Sequence, residues 1–355
     1  VTGSLSGDEA MRKQMRRRLG SQVDDFIWHL RWRGHEIIQQ RVEKYSIRCD
    51  LKHGHLHAAY KPSHMEGLRK DYDEAVRRGM GSEVSLLDRS QVRDILQSDL
   101  YDGAIKNMRN MHLHPLNLCI GEARAAESLG ALMFENSEVL EIIHGDTPGV
   151  RTAHGRIDAN QVLLAGDVYH KLEPGKLKGK IFPAMGGIVT TEPLGDLARQ
   201  LNPQDLAVYD CRFVLDYYRM TADGRLLFGG GANYSGKDSR DIAGELRPCI
   251  EQTFPALKGV NIEYQWSCAM GIVINRIPQL GKLSDNVWYC QGYSGHGIAT
   301  SHIMGEIMGR AITGQLEQFD TFAGCQHIRV PMGDLLGNPM LAAGMWYYQM
   351  LERLR

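Results

Sequence analysis

The residues best suited to chemistry lie in one short run, Gln291-Gly292-Tyr293-Ser294-Gly295-His296-Gly297. Three glycines let the main chain come close to a flat or phosphorylated ligand. A helix starting here would add unpaired N–H groups and the positive end of its dipole, which favour an anionic oxygen or an electron-rich ring. Glycine spacing alone favours a plainer reading, a tight strand-to-helix turn. A second run, Val162-Leu163-Leu164-Ala165-Gly166-Asp167, is an apolar strand ending where another backbone or a ligand can approach. In a third, Tyr217-Tyr218-Arg219 precedes Phe228-Gly229-Gly230-Gly231 across a turn. The aromatic residues could wall a pocket and Arg219 could orient an acidic group, although each run is also consistent with core and salt-bridge roles.

Other chemistries find less support. His55 and His57, and His112 and His114, alternate as a strand face would require. No third ligand of recognisable spacing follows and no His-Glu-x-x-His occurs, so no metal is expected. There is no Gly-x-Ser-x-Gly elbow, and no cysteine sits in a nucleophile context.

The elements that must carry these residues follow from periodicity. Val23, Phe26, Ile27, Leu30, Ile37, Ile38 and Val42 recur at helical steps, predicting one helix over 8–45. A strand is expected near 51–60, helices over 64–80 and 88–97 with Asp88 as N-cap, and a helix over 116–129 between Pro115 and Gly130. Strands are expected at 131–134, 139–143, 150–153 and 161–165. Residues 213–221 and 225–229 form a hairpin about Asp223-Gly224, and 242–253 returns to helix. Strand 286–291, the glycine-rich turn and a helix over 298–313 form the last clear unit. Beyond Phe322 the pattern gives no placement.

Bulk properties narrow the partners. The 355 residues exceed one ordinary core, so two domains interleaved in sequence are expected. With 41 Lys+Arg against 42 Asp+Glu the net charge is −1, which argues against nucleic acid or an anionic membrane as main partner. The basic run Arg12, Lys13, Arg16, Arg17, Arg18 reads as a solvated helix face. No apolar run reaches the roughly 18–20 residues needed to span a bilayer. Seven scattered cysteines without a Cys-x-x-Cys pair suit a reducing cytoplasm.

Together these runs resemble the FAD-dependent oxidoreductases of the D-amino-acid-oxidase-like superfamily. Gly292-Tyr293-Ser294-Gly295-His296-Gly297 is similar to the family's flavin-contacting turn. Trp266-x-Cys268 and Asn275-x-x-Pro278-x-x-Gly281 are similar to its Trp-x-Gly and Asp-x-x-Pro-x-x-Gly stretch, with Cys268 for Gly and Asn275 for Asp. Three further segments resemble the bacterial gamma-glutamylputrescine oxidases: 112–123, 215–231 and 253–260.

The resemblance implies an α/β (mixed α+β) fold: a Rossmann-like FAD-binding domain over 1–50, 112–172 and 270–320, interleaved with a substrate domain on a mixed sheet over 51–111 and 173–269. A tail, 321–355, completes the chain. It implies FAD as cofactor, held by Val139, Ala165, Gly166, Asp167, Gly292, Tyr293, Ser294, Gly295, His296, Gly297 and Ile298. It implies catalytic parts for His296, Tyr218 and Arg219, and oxidation of an amine by oxygen to aldehyde, ammonia and hydrogen peroxide. Two alternatives stand beside it: a glycine- or sarcosine-type oxidase with Arg219 or Arg276 on the substrate carboxylate, and a non-catalytic remnant. The family's Gly-x-Gly-x-x-Gly fingerprint and following acidic residue are absent; Gly3-x-x-x-Gly7 has the wrong spacing and follows no strand. The sequence is therefore read as N-terminally truncated, and residues 1–355 alone are expected to be poorly soluble or colourless.

Overall fold

The computed structural model describes residues 1–331 and 333–354. The chain divides into two compact units. The first holds residues 1–49, 115–184 and 269–340, and the second 50–114, 185–268 and 341–355.

The first unit opens with α1 (Asp8–Leu19) and α2 (Val23–Lys44). The single helix expected over 8–45 is broken at Gly20, whose φ of 57° and ψ of −130° no helix accommodates. Further along come α5 (Pro115–Ser128), the short strands β4 (Glu141–Ile143), β5 (Gly149–Arg151), β6 (Arg156–Asp158) and β7 (Val162–Leu164), and α6 (Pro174–Leu177). The unit is completed by β13 (Gln279–Ser284), β14 (Val287–Gln291), α9 (Gly297–Ile312) and α10 (Glu317–Ala323). No strand forms at 131–134. Leu132 and Phe134 are 79% and 63% exposed, so an apolar run without a partner strand stays a loop.

Two small sheets build this unit, β13-β14-β7 and β4-β5-β6. β14 lies between antiparallel β13 and parallel β7 and is buried at all five positions, as a strand covered on both faces must be. Its alternation divides the core. Trp288 and Cys290 pack with Met11, Met15, Ile27, Ile303 and Met304 from the helices. Val287 and Tyr289 face Ile142, Val162 and Leu164.

The second unit contains β1 (Lys52–Ala59), α3 (His64–Arg77), β2 (Val84–Asp88), α4 (Arg89–Ile95) and β3 (Gly103–His112). These are followed by β8 (Phe182–Thr191), α7 (Asp196–Leu201), β9 (Ala207–Asp210), β10 (Tyr217–Met220), β11 (Leu226–Asn233), α8 (Ile242–Thr253) and β12 (Ile262–Ile272). The last helix, α11 (Gly333–Leu354), occupies most of the tail that the sequence pattern could not place. Asp88 caps α4 through the Gln91 N–H, and Gln91 reciprocates.

One eight-stranded sheet runs β12-β8-β11-β10-β9-β1-β3-β2. β1 is parallel to β9 and antiparallel to β3, so the sheet is mixed. One face is the main core, where Leu56, Val208, Tyr218, Phe228 and Val189 meet Leu246 and Ile250 of α8. The opposite face carries His57, Tyr209, Tyr217 and Gly229 by the two-residue alternation of strands. Among the described residues no helix is long and apolar enough to cross a membrane.

In the first unit, α2 crosses α9 at Gly34. A Cβ there would lie 2.6 Å from the Ala299 carbonyl oxygen and 2.9 Å from its Cα. An ordinary helix gains about 0.5–1 kcal/mol from Gly→Ala. Here the crowded atoms are backbone, and overpacking costs about 1–3 kcal/mol. Gly34→Ala is therefore expected to lower stability, reversing the propensity effect. A rise in the urea midpoint would show that the crossing is looser than described.

Candidate functional site

Three backbone conformations shape the turn that follows β14. Gly292, Ser294 and Gly295 have φ of 82°, 50° and 92°. Gly292 has a second reason to be glycine, because a Cβ would fall 2.4 Å from Val273 Cγ2. Gly295 differs: nothing lies within 4 Å of the position its Cβ would take. The turn is pinned on its inner side. Gly292 N–H donates to Asp167 Oδ1 at 3.1 Å. Ser294 N–H donates to the Gly271 carbonyl at 2.9 Å, and Ser294 Oγ accepts from Val273 N–H at 3.1 Å. Gly292 and Ser294 are consequently buried, while Gly295 is exposed and His296 to Ile298 half-buried.

The pinned turn delivers the chain into α9 with no side chain capping its first N–H groups. Those donors and the helix dipole form a cradle for negative charge. Two polar atoms beside it, His296 Nδ1 and Thr300 Oγ1, are buried with no hydrogen-bond partner among the described residues. Burial pushes the His296 imidazole below its ordinary pKa; a main-chain interaction at Ser294 opposes this and the nearby Arg276 charge adds to it, and with the net shift downward the ring is neutral near pH 7. Open glycine backbone, unclaimed donors and a neutral imidazole suit the electron-rich edge of a flat ring.

The structure brings together part of the expected set. Ala165, Gly166 and Asp167 follow β7, which runs parallel to β14, so both strands end on the same edge. Asp167 is turned inward onto the Gly292 turn, with burial raising its pKa. Val139 packs at the border of the cluster around Val162 and Leu164.

Tyr218 and Arg219 belong to the second unit. Tyr218 is 2% exposed, its ring stacked on Phe228 at 5.5 Å and edge-on to Phe254 at 5.3 Å. It is a core residue. Strand alternation places its neighbour Tyr217 on the opposite face, half-buried over Gly229. Arg219 shares that face, with its Nη1 3.8 Å from Asp50 Oδ2. Burial lowers its pKa, and Asp50 and Asp205 only partly oppose this. Sequence reasoning missed Thr300 as well, since nothing in its spacing distinguishes it from the buried stripe of α9.

The histidine pairs bond locally. His112 Nε2 meets the Asp205 carbonyl at 2.8 Å, and His55 Nε2 the Met111 carbonyl at 3.0 Å. His57 stacks on Tyr209 at 4.3 Å, with Cys211 Sγ 3.2 Å from its Nε2.

Residues 6–311 match the family described as FAD dependent oxidoreductase. The chain is 39% identical over 338 residues to gamma-glutamylputrescine oxidoreductase of Escherichia coli K12, covering 94% of this chain and 79% of that protein. It is 30% identical over 358 residues to a probable oxidoreductase, OrdL, of Haemophilus influenzae, covering 99% and 82%. Among solved structures, glycine oxidase from Bacillus cereus superposes with a TM-score of 0.71 at 19% identity, over 93% of this chain and 98% of that one. L-proline dehydrogenase from P. horikoshii does so with a TM-score of 0.69 at 20% identity, over 81% and 79%. Likeness at these identities concerns the fold.

The histidines of the second unit set a pH dependence. Burial pushes the pKa of His57, with His64 nearby, and of His112 down to about 4. The unfolded chain takes up the proton first, near pH 6.5. Stability is thus complete above about pH 6.5 and is lost as pH falls towards 4, by about 2 kcal/mol for each histidine between pH 7 and pH 5. His112→Gln or His57→Gln should flatten the urea midpoint over that interval. An unchanged slope in both variants would mean that neither ring is buried in the neutral form.

Proposed function

Given that the chain belongs to the family of FAD-dependent oxidoreductases, we propose that it oxidises an amine, gamma-glutamylputrescine, to an imine that water converts to aldehyde and ammonia. The observation carrying the cofactor assignment is the open, uncapped start of α9 behind the pinned glycine turn. Identity to the E. coli oxidoreductase carries the choice of substrate. When bound, FAD supplies the two-electron acceptor for the carbon–nitrogen bond and the route by which oxygen becomes hydrogen peroxide.

The chain's own residues divide the remaining work. Gly295, Gly297 and Ile298 offer main-chain donors to negative charge on the ring, the His296 N–H being held by the Tyr293 carbonyl at 3.0 Å. Neutral His296 adds an imidazole without a fixed charge. Ala165 and Gly166 leave room at the adjacent strand end. In the second unit we assign Arg219 to a substrate carboxylate and replace Tyr218 by Tyr217 as the aromatic wall, because Tyr217 lies on the same sheet face as Arg219. The reactive amine is the neutral form, so a pocket that disfavours ammonium helps. Seven cysteines, none of them in a disulfide, fit a reducing compartment such as the cytoplasm.

A small amino acid is the second reading. Its support is Arg276, held at φ 61° in the first unit with its charge acting on His296, a place from which it could take a carboxylate beside the turn.

A flavin absorption spectrum and a substrate panel test these readings. Peroxide release should be greatest with gamma-glutamylputrescine, and lower with glycine, sarcosine and free putrescine. Preference for glycine or sarcosine would select the second reading, and a flavin-loaded protein that releases peroxide with none of these amines would reject both. Gly295→Val should sharply reduce flavin occupancy, since a β-branched residue tolerates φ near 92° poorly and its side chain would fill the open approach. The strain is on the order of 1–3 kcal/mol. Unchanged spectra and turnover would reduce this turn to a structural connection.

A further inference from the structure

We infer that Asp167 is a positioning residue: its carboxylate ties the end of β7 to the glycine turn after β14 and thereby sets the attitude of the donors at Gly295, Gly297 and Ile298. The inference rests on the flavin reading of that turn, and it gives Asp167 a different task from direct contact with the cofactor.

Four observations converge on this residue. First, Asp167 has φ 49°, a left-handed conformation that aspartate adopts only occasionally. Non-glycine residues remain in such conformations where the surroundings over-determine them, and these positions cluster at functional sites. Second, the carboxylate accepts the Gly292 N–H at 3.1 Å and lies against the backbone of Gly271, which helps to lower its pKa against the burial that raises it. Third, the space around it is reserved. A Cβ on Gly271 would lie 2.2 Å from Asp167 Oδ1, so only glycine lets β12 pass the carboxylate. Fourth, among the described residues no basic side chain forms an ion pair with it; His170, Cys290 and Tyr293 are its titratable neighbours. A half-buried carboxylate held mainly by main-chain donors does not serve an ion-pair network. It fixes the distance between the chains that supply those donors.

Those chains form the two sides of the site. β7 and β14 are parallel neighbours, pairing Val162 with Val287 and Leu164 with Tyr289. Ligands in α/β sheets bind beyond the carboxyl ends of such strands. The segments leaving those ends, Ala165–Asp167 and Gly292–Gly297, share one bridging hydrogen bond in Asp167 Oδ1 to Gly292. Ser294 fixes the same turn to residues 271–273 independently. Loss of Asp167 should therefore loosen the edge facing β7 without unfolding the turn.

Asp167→Ala and Asp167→Asn test this, because asparagine keeps an acceptor oxygen while losing the charge. The first measurement is hydrogen exchange over residues 291–298 in cofactor-free protein. Alanine should accelerate exchange at Gly292 about tenfold, as loss of a buried hydrogen bond does, and asparagine should stay close to wild type. The second is titration with free FAD, followed by the spectrum and reduction potential of the bound flavin. Alanine should weaken FAD about tenfold and shift the potential, with asparagine restoring both. Wild-type exchange and FAD affinity in the alanine variant would overturn the inference. So would asparagine that protects Gly292 yet impairs FAD as much as alanine, since the charge itself would then act on the cofactor. If wild-type protein binds no FAD, the exchange data still decide whether Asp167 holds the turn.

Discussion

β14 is buried at every position, yet its C-terminal end must release the chain into a helix whose first donors remain open. The first unit is arranged around that requirement. Helices cover Trp288 and Cys290, and the β7 and β4 side covers Val287 and Tyr289, so the strand cannot shift register without moving both cores. Gln291 Nε2 donates to Gln279 Oε1 at 3.0 Å, and Gln279 Nε2 in turn donates to the Lys180 carbonyl at 3.0 Å. The glycine turn therefore starts from a fixed point. Its inner residues are bonded, and its outer residues are left to a ligand.

The α2–α9 crossing fixes the other end of the turn. Helix α9 can offer its N-terminus only if its axis is held, and Gly34 lets α2 approach to backbone contact at Ala299. One turn further along α9, His302 bonds Glu122 of α5 at 2.8 Å, and Glu122 also accepts from Arg41 of α2 at 2.9 Å. Three helices separated in sequence thus share one half-buried polar network. With both ends held, the donors are preorganised, which is the condition under which backbone dipoles act strongly on charge that develops during a reaction.

Sequence reasoning reached elements with a strong local signal. The helix over 242–253 ends where α8 ends, despite Pro248, and the strand–turn–helix about Gly292 lies within one residue of the strand and helix found. Asp88 as an N-cap was legible because the cap chemistry is local. Much of the large sheet was not. β3, β8 and β12 are long strands whose identity depends on partners far away in sequence, and β12 is largely exposed along its first half. At the site, the glycines and His296 were legible, but the faces were not. A one-residue choice between Tyr217 and Tyr218 reverses which side of a sheet is meant, and periodicity within a run of adjacent tyrosines cannot make that choice. Thr300 and the inward turn of Asp167 depend on tertiary neighbours alone.

The two units also differ in how they can meet negative charge. In the first, the open turn offers main-chain dipoles and a neutral imidazole, and the Asp167 carboxylate beside it is already engaged by the Gly292 N–H. Such donors stabilise charge that comes and goes without imposing a permanent cation on the neutral state. In the second, Arg219 carries a lasting charge. Burial works against it, and Asp50 at 3.8 Å compensates only in part. An incompletely neutralised guanidinium favours a ligand whose negative charge is permanent. The division follows the chemistry of the proposed partners: a cofactor whose charge changes with each turnover matches dipoles, and a substrate group that keeps its charge matches a fixed cation.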